Sequence, residues 1–100
     1  MDGFMVIAEP SRRAIVDRLR AGASDVNSLV RDLELSQSLV SKHLRVLRET
    51  GVVESEIAGK RRVYRLSDRP LPDVVAWIAP FAQRWSSSFD ALARALDEES

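Results

Sequence analysis

The chain has 100 residues, with 15 basic and 15 acidic side chains that give a formal net charge of zero. It contains no cysteine and a single histidine, which excludes disulfides, thiol redox switches, thiolate metal sites and histidine-rich catalytic clusters. Its 45% hydrophobic and 30% charged residues are typical of a soluble globular protein. Since no apolar run approaches the ~20 residues that cross a bilayer, we expect one cytoplasmic domain over residues 1–100 that does not contact a membrane.

The first half of the chain predicts four helices in succession. A short apolar segment, "FMVIA", precedes Pro10, which suits the first turn of a second helix. Ser24 or Asp25 can cap a third helix, in which the apolar residues recur at helical spacing. A tight turn at residues 34–35 leads to Ser36, which caps a fourth helix over about 36–50. Two short helices and a tight turn ahead of this fourth helix are the layout of a helix-turn-helix.

The fourth helix has two different faces. At 100° per residue, Val40, Leu44 and Leu47 fall within about 60° of one another and form an apolar stripe. His43 lies at the edge of the stripe, where we expect a half-buried packing or phosphate-contacting residue. The remaining face carries short hydrogen-bonding and cationic side chains suited to base edges and phosphates: Gln37, Ser38, Ser41, Lys42 and Arg45. We predict that this face reads DNA; the alternative is the solvated face of an ordinary amphipathic helix.

A β-hairpin is predicted over about residues 52–67. The segments "VVESEI" and "RRVYRLS" are rich in β-branched and aromatic residues and are joined by a short glycine-containing stretch. Its tip is basic, with Lys60, Arg61 and Arg62, and residues 36–65 hold seven basic and three acidic side chains, a local charge of +4. We predict a wing that contacts DNA; a charged hairpin that merely resists edge-to-edge aggregation is the alternative.

The segment "DRPLP" is followed by a long helical pattern over about 72–96. Its stripe is too rich in aromatic residues for a chain of this size to bury easily, so we predict a helix that pairs with a second copy. The interface residues on it are Val74, Trp77, Ile78, Phe81, Trp85 and Phe89. Packing on the chain's own core and a small-molecule pocket are the alternatives. Pro80 lies inside the pattern and should kink or split the helix.

Three segments, "EPSRRAIVDRLRAG", "LSQSLVSKHLRVLRETGVV" and "GKRRVYRL", resemble the ArsR-type (arsenic-repressor-like) family of bacterial transcription regulators. The resemblance agrees with the fold class that the order of elements predicts: mainly α with a β-hairpin wing (α+β), a winged helix-turn-helix. It implies a homodimer formed by the terminal helices, with Phe4 in the N-terminal contact. It also implies repression through double-stranded DNA with an inverted-repeat operator, and assigns base reading to four residues of the fourth helix: Gln37, Ser38, Ser41 and Lys42.

The chain departs from the metal-sensing members of that family. Where those carry a cysteine pair near the third helix, this chain has Asp25, Val26 and Asn27, and its last helix offers only Asp73 and Asp90. We therefore expect no metal and no other cofactor, and any effector would be a small apolar molecule or a protein near the last helix. The alternative function is a winged-helix protein-protein interaction module without specific DNA binding. No constellation supports an enzyme.

Overall fold

The computed structural model describes residues 1–99, which form a winged helix-turn-helix, as the sequence predicts. The helices are α1 (Gly3–Ala8), α2 (Pro10–Arg20), α3 (Val26–Leu33), α4 (Gln37–Glu49) and α5 (Pro72–Glu99), and the strands are β1 (Ser24–Asp25), β2 (Val53–Ala58) and β3 (Arg61–Leu66).

Each of the first four helices begins at a side-chain cap. The carboxylates of Asp2, Glu9 and Asp25 accept backbone N–H groups at 2.8 Å, and the hydroxyl of Ser36 accepts the N–H of Leu39 at 3.1 Å. Asp25, and not Ser24, is therefore the cap of α3. Such caps satisfy N–H groups that the first helical turn leaves unpaired.

The turn between α3 and α4 is as tight as the sequence indicates. Glu34 adopts a left-handed backbone conformation with φ of 56°, which reverses the chain within a few residues. The turn brings Ser36 into position to cap α4 directly. The third and fourth helices therefore form the helix-turn-helix unit.

The wing contains one strand more than the predicted hairpin. β2 and β3 pair antiparallel from Val53↔Leu66 to Ala58↔Arg61, and Gly59, with φ of 65°, makes the turn. β1 adds to the other edge of β3 through Ser24↔Tyr64 and Asp25↔Val63, which gives the sheet order β1-β3-β2. The extra strand ties the wing to the start of α3.

The core lies between α1, α2, α3, α4 and the first residues of the wing. Its buried side chains are Val6, Ile15, Leu19, Leu29, Val40, Leu44, Leu47, Val52 and Val53. The predicted apolar stripe of α4 is confirmed, because all three of its members are in this set. The core therefore fixes which face of α4 is turned outward.

The long helix α5 touches the domain through α1. The backbone N–H of Gly3 donates to Asp73 at 2.8 Å, and the rings of Phe4 and Trp77 meet edge to face at 5.8 Å. Pro80 lies inside one uninterrupted helix, so the helix is not split there, and the alternative of a kink stays a prediction. With 28 residues, α5 is ~42 Å long, and its residues 86–98 are exposed.

Candidate nucleic-acid interface

The outward face of α4 holds every residue that the sequence predicts for base reading: Gln37, Ser38, Ser41, Lys42 and Arg45. All five are exposed. Ser36 caps the helix at the end where three of them lie, so hydrogen-bonding side chains are concentrated at the N-terminal half. A recognition helix places this half in a major groove.

The two cations of this face are not equivalent. The Nε of Arg45 lies 3.1 Å from the Glu49 carboxylate one turn later, whereas Lys42 makes no ion pair with any residue in the described part of the chain. The Arg45–Glu49 ion pair is not among the sequence predictions, although a four-residue spacing of opposite charges on a helix is typical of such a pair. Lys42 is therefore the more available of the two for a phosphate or a guanine edge.

The three predicted wing cations also differ. Lys60 is exposed at the turn, while Arg61 donates to the Asp25 carboxylate at 3.0 Å and Arg62 donates to the Ser55 hydroxyl at 3.1 Å. The pKa of Asp25 is lowered, chiefly by the N–H of Ser28 and to a lesser degree by Arg61. Arg61 thus joins the wing to the cap of α3, whereas neither Lys60 nor Arg62 makes an ion pair within residues 1–99.

One face of the wing is unsuited to a phosphate backbone. Arg65 lies between two carboxylates, 3.2 Å from Glu54 and 2.9 Å from Glu56. This cluster of one cation and two anions carries a net negative charge on exposed side chains. A DNA backbone would therefore be repelled there, which leaves the tip of the wing as its basic element.

The residues predicted for a dimer interface form one connected surface. Phe4 meets Trp77, whose ring lies 5.1 Å from Phe81, which in turn lies 6.5 Å from Trp85. Val74 and Ile78 are half-buried, and Phe89 is exposed further along the helix. Trp77, Trp85 and Phe89 are all more than half exposed, so packing on the chain's own core does not account for the stripe.

A groove of about 420 Å³ lies beside the start of α5. It is lined by Asp68, Arg69, Pro70, Pro72, Val75 and Ala76. None of the aromatic residues of α5 lines it, so it is not the aromatic pocket that the sequence left open as an alternative.

Metal and membrane features are absent from the described residues. No group of three or more metal-ligating side chains comes together anywhere in residues 1–99. Asp25 is occupied as a cap and by Arg61, and Asp73 accepts the N–H of Gly3. None of the helices described is long and apolar enough to cross a bilayer.

His43 lies deeper than the sequence indicates. It is 5% exposed, and its Nε2 lies 3.5 Å from the carboxylate of Glu9 at the start of α2. The predicted half-burial is therefore wrong: the side chain is buried, which fits the packing alternative and not a phosphate contact. Burial lowers the pKa of His43, and Glu9 acts in the opposite direction. Nothing in the local sequence pairs these two residues, which are far apart along the chain.

Comparison with known proteins gives consistent matches. Residues 9–55 match the family model described as "Bacterial regulatory protein, arsR family". The HTH-type transcriptional regulator Rv2034 of Mycobacterium tuberculosis is 36% identical over 96 residues, which cover 96% of this chain and 87% of that protein. The HTH-type transcriptional repressor SmtB of the same species is 44% identical over 69 residues, which cover 69% of this chain and 51% of the repressor. The crystal structure of a "possible transcriptional regulator for arsenical resistance" matches with a TM-score of 0.72 and 40% identity, over 81% of this chain and 84% of that one.

Proposed function

Because the chain belongs to the ArsR family of bacterial regulatory proteins, we propose that it is a homodimeric repressor that binds an inverted-repeat operator without a metal ion. The family consists of transcriptional regulators and not enzymes. The observation that carries the proposal is the exposed face of α4, where Gln37, Ser38 and Ser41 lie beside Lys42. Lys42 makes no ion pair in the part of the chain that the structure describes. Recognition of DNA in a groove needs short hydrogen-bonding groups for the base edges and a cation for phosphate or guanine.

The exposed stripe of α5 supports the homodimer. A twofold axis would bring the stripe of one copy against that of the other and bury aromatic side chains that a single chain leaves in water. Two recognition helices related by that axis would enter successive major grooves ~34 Å apart, which requires a palindromic site. The name of SmtB, a relative of which this chain spans about half, favours repression as the regulatory outcome.

Metal independence is supported by the contacts that two of the three candidate carboxylates, Asp25 and Asp73, already make within the fold. Asp25 caps α3 and pairs with Arg61, and Asp73 fixes the N-terminus of α1. Thiolate ligands are excluded by the composition. The regulatory signal would therefore be something other than a thiophilic metal.

Selection from a random duplex library, followed by anisotropy titrations across a salt series, tests the proposal. We expect an inverted repeat bound ~10³-fold or more tightly than scrambled DNA, with weaker binding of that repeat by Lys42→Ala. Arg20→Ala is the matched control, because Arg20 is an exposed cation at the far end of α2. Enrichment of no sequence, with equal and steeply salt-dependent affinities for all duplexes, would refute the proposal and favour the protein-interaction module.

A further inference from the structure

The imidazole of His43 is the buried polar group that neither the fold nor DNA reading accounts for. It lies on the inner side of α4, the proposed recognition helix, at 5% exposure. Its Nε2 faces Glu9 at 3.5 Å. Its Nδ1 is fully buried and has no hydrogen-bond partner among residues 1–99. A buried nitrogen without a partner costs free energy, so the protonation state of this ring affects how well α4 is held.

The carboxylate of Glu9 is held in place where α1 meets α2. Its carboxylate caps α2 by accepting the N–H of Arg12, and the Arg12 side chain donates to the carbonyls of Val6 and Met5 at the end of α1. The carboxylate is thus fixed at the corner between α1 and α2. Through it, His43 places the recognition helix against this corner, whereas α5 contacts α1 at its opposite end, at Gly3.

The site accommodates a neutral ring better than a charged one. A neutral imidazole can direct its single N–H from Nε2 toward Glu9, whereas an imidazolium also carries an N–H at Nδ1, where no acceptor is present. Burial is the largest influence and lowers the pKa of His43; Glu9 raises it, and Arg12 and Lys42 lower it.

We propose that His43 is a positioning residue of the recognition helix that works only in its neutral form, so that protonation loosens α4 from α2 and weakens DNA binding. The effect on DNA binding rests on the proposed function, but the effect on the packing of α4 against α2 does not. Because the folded protein disfavours the proton, the contribution of His43 is complete above the ordinary imidazole pKa of 6.5. It is lost as the pH falls through the lower value of the folded state.

A direct test is an NMR titration of the imidazole, which is unambiguous because the chain has one histidine. We expect the wild-type pKa to lie below 6.5, and that of Glu9→Gln to lie lower still because the attractive carboxylate charge is gone. Amide protection factors of α4 should fall between pH 7.5 and 5.5 in wild type and stay level in His43→Leu, which has no proton to gain. A wild-type pKa at or above 6.5, or equal protection changes in both proteins, would overturn the inference.

Operator affinity supplies the functional measurement. Between pH 7.5 and 5.5 the wild type should lose about fivefold or more affinity beyond the loss shown by His43→Gln, whose amide can hydrogen-bond but cannot be protonated. Parallel losses in the two proteins would refute the link to DNA binding. If wild type shows no sequence preference at pH 7.5, the proposed function fails instead, and the NMR and exchange results still decide whether His43 positions α4.

Discussion

Replacement of Trp85 by alanine should weaken the proposed homodimer while leaving each domain folded. Trp85 is 52% exposed in the single chain, and a side chain of this size has roughly 250 Å² to bury. About half of that area, at ~25 cal/mol per Å², gives ~3 kcal/mol per chain and twice that value for a twofold pair. Association also costs conformational entropy and leaves part of this area hydrated. We therefore expect Trp85→Ala to weaken the free energy of dimerisation by about 2–4 kcal/mol, which is roughly a 30- to 700-fold rise in the dimer Kd.

Sedimentation equilibrium over a range of micromolar concentrations measures this Kd, and circular dichroism checks the fold. Ile57→Ala is the matched control, because Ile57 is a large apolar residue that is even more exposed, at 70%, and lies on the wing away from the stripe. The control should leave the Kd unchanged. The reasoning would be refuted if wild type sediments as a monomer, or if Trp85→Ala and Ile57→Ala dimerise equally well.

Three further predictions concern α4. Leu44→Ala removes a side chain that is 1% exposed and should lower the free energy of unfolding by about 2–5 kcal/mol in a denaturant titration. Ser36→Ala removes the cap that accepts the Leu39 N–H and should cost ~1 kcal/mol in the same assay; no change would show that another group caps α4. Lys42→Ala should weaken operator binding by about 1–3 kcal/mol in anisotropy titrations, and Arg45→Ala by less because Glu49 already holds that guanidinium. Equal losses would contradict this ranking.

The features that the sequence predicts well are those fixed by neighbouring residues. Ser36 capping α4, the turn after α3 and the Val40–Leu44–Leu47 stripe all depend on spacings of a few residues. At that distance, backbone hydrogen bonding and helical periodicity decide the outcome almost alone. The exposed reading face follows from them, because burying one side of α4 turns the other side outward.

The features that the sequence does not predict depend on contacts between distant segments of the chain. β1 has two residues and exists only because β3 passes beside it, so no periodicity could reveal it. The sequence does not distinguish Arg61 from the other basic residues of the wing, because only the fold brings its guanidinium to within 3.0 Å of the Asp25 carboxylate. A helical wheel places His43 at the edge of the apolar stripe, and it cannot show that the fold brings the ring to within 3.5 Å of Glu9.

Fewer basic side chains are available to contact DNA than the count of basic residues in 36–65 suggests. Of the seven basic residues in 36–65, Arg45, Arg61 and Arg65 face carboxylates. The others make no ion pair within the described residues: Lys42, Arg48, Lys60 and Arg62. If all of these contacted phosphates in both copies of a dimer, log Kd would change with log salt concentration with a slope of at most about seven. A steeper slope would mean that the paired arginines leave their carboxylates on binding, whereas a shallower one, unchanged in Lys60→Ala, would mean that the wing tip does not contact the backbone.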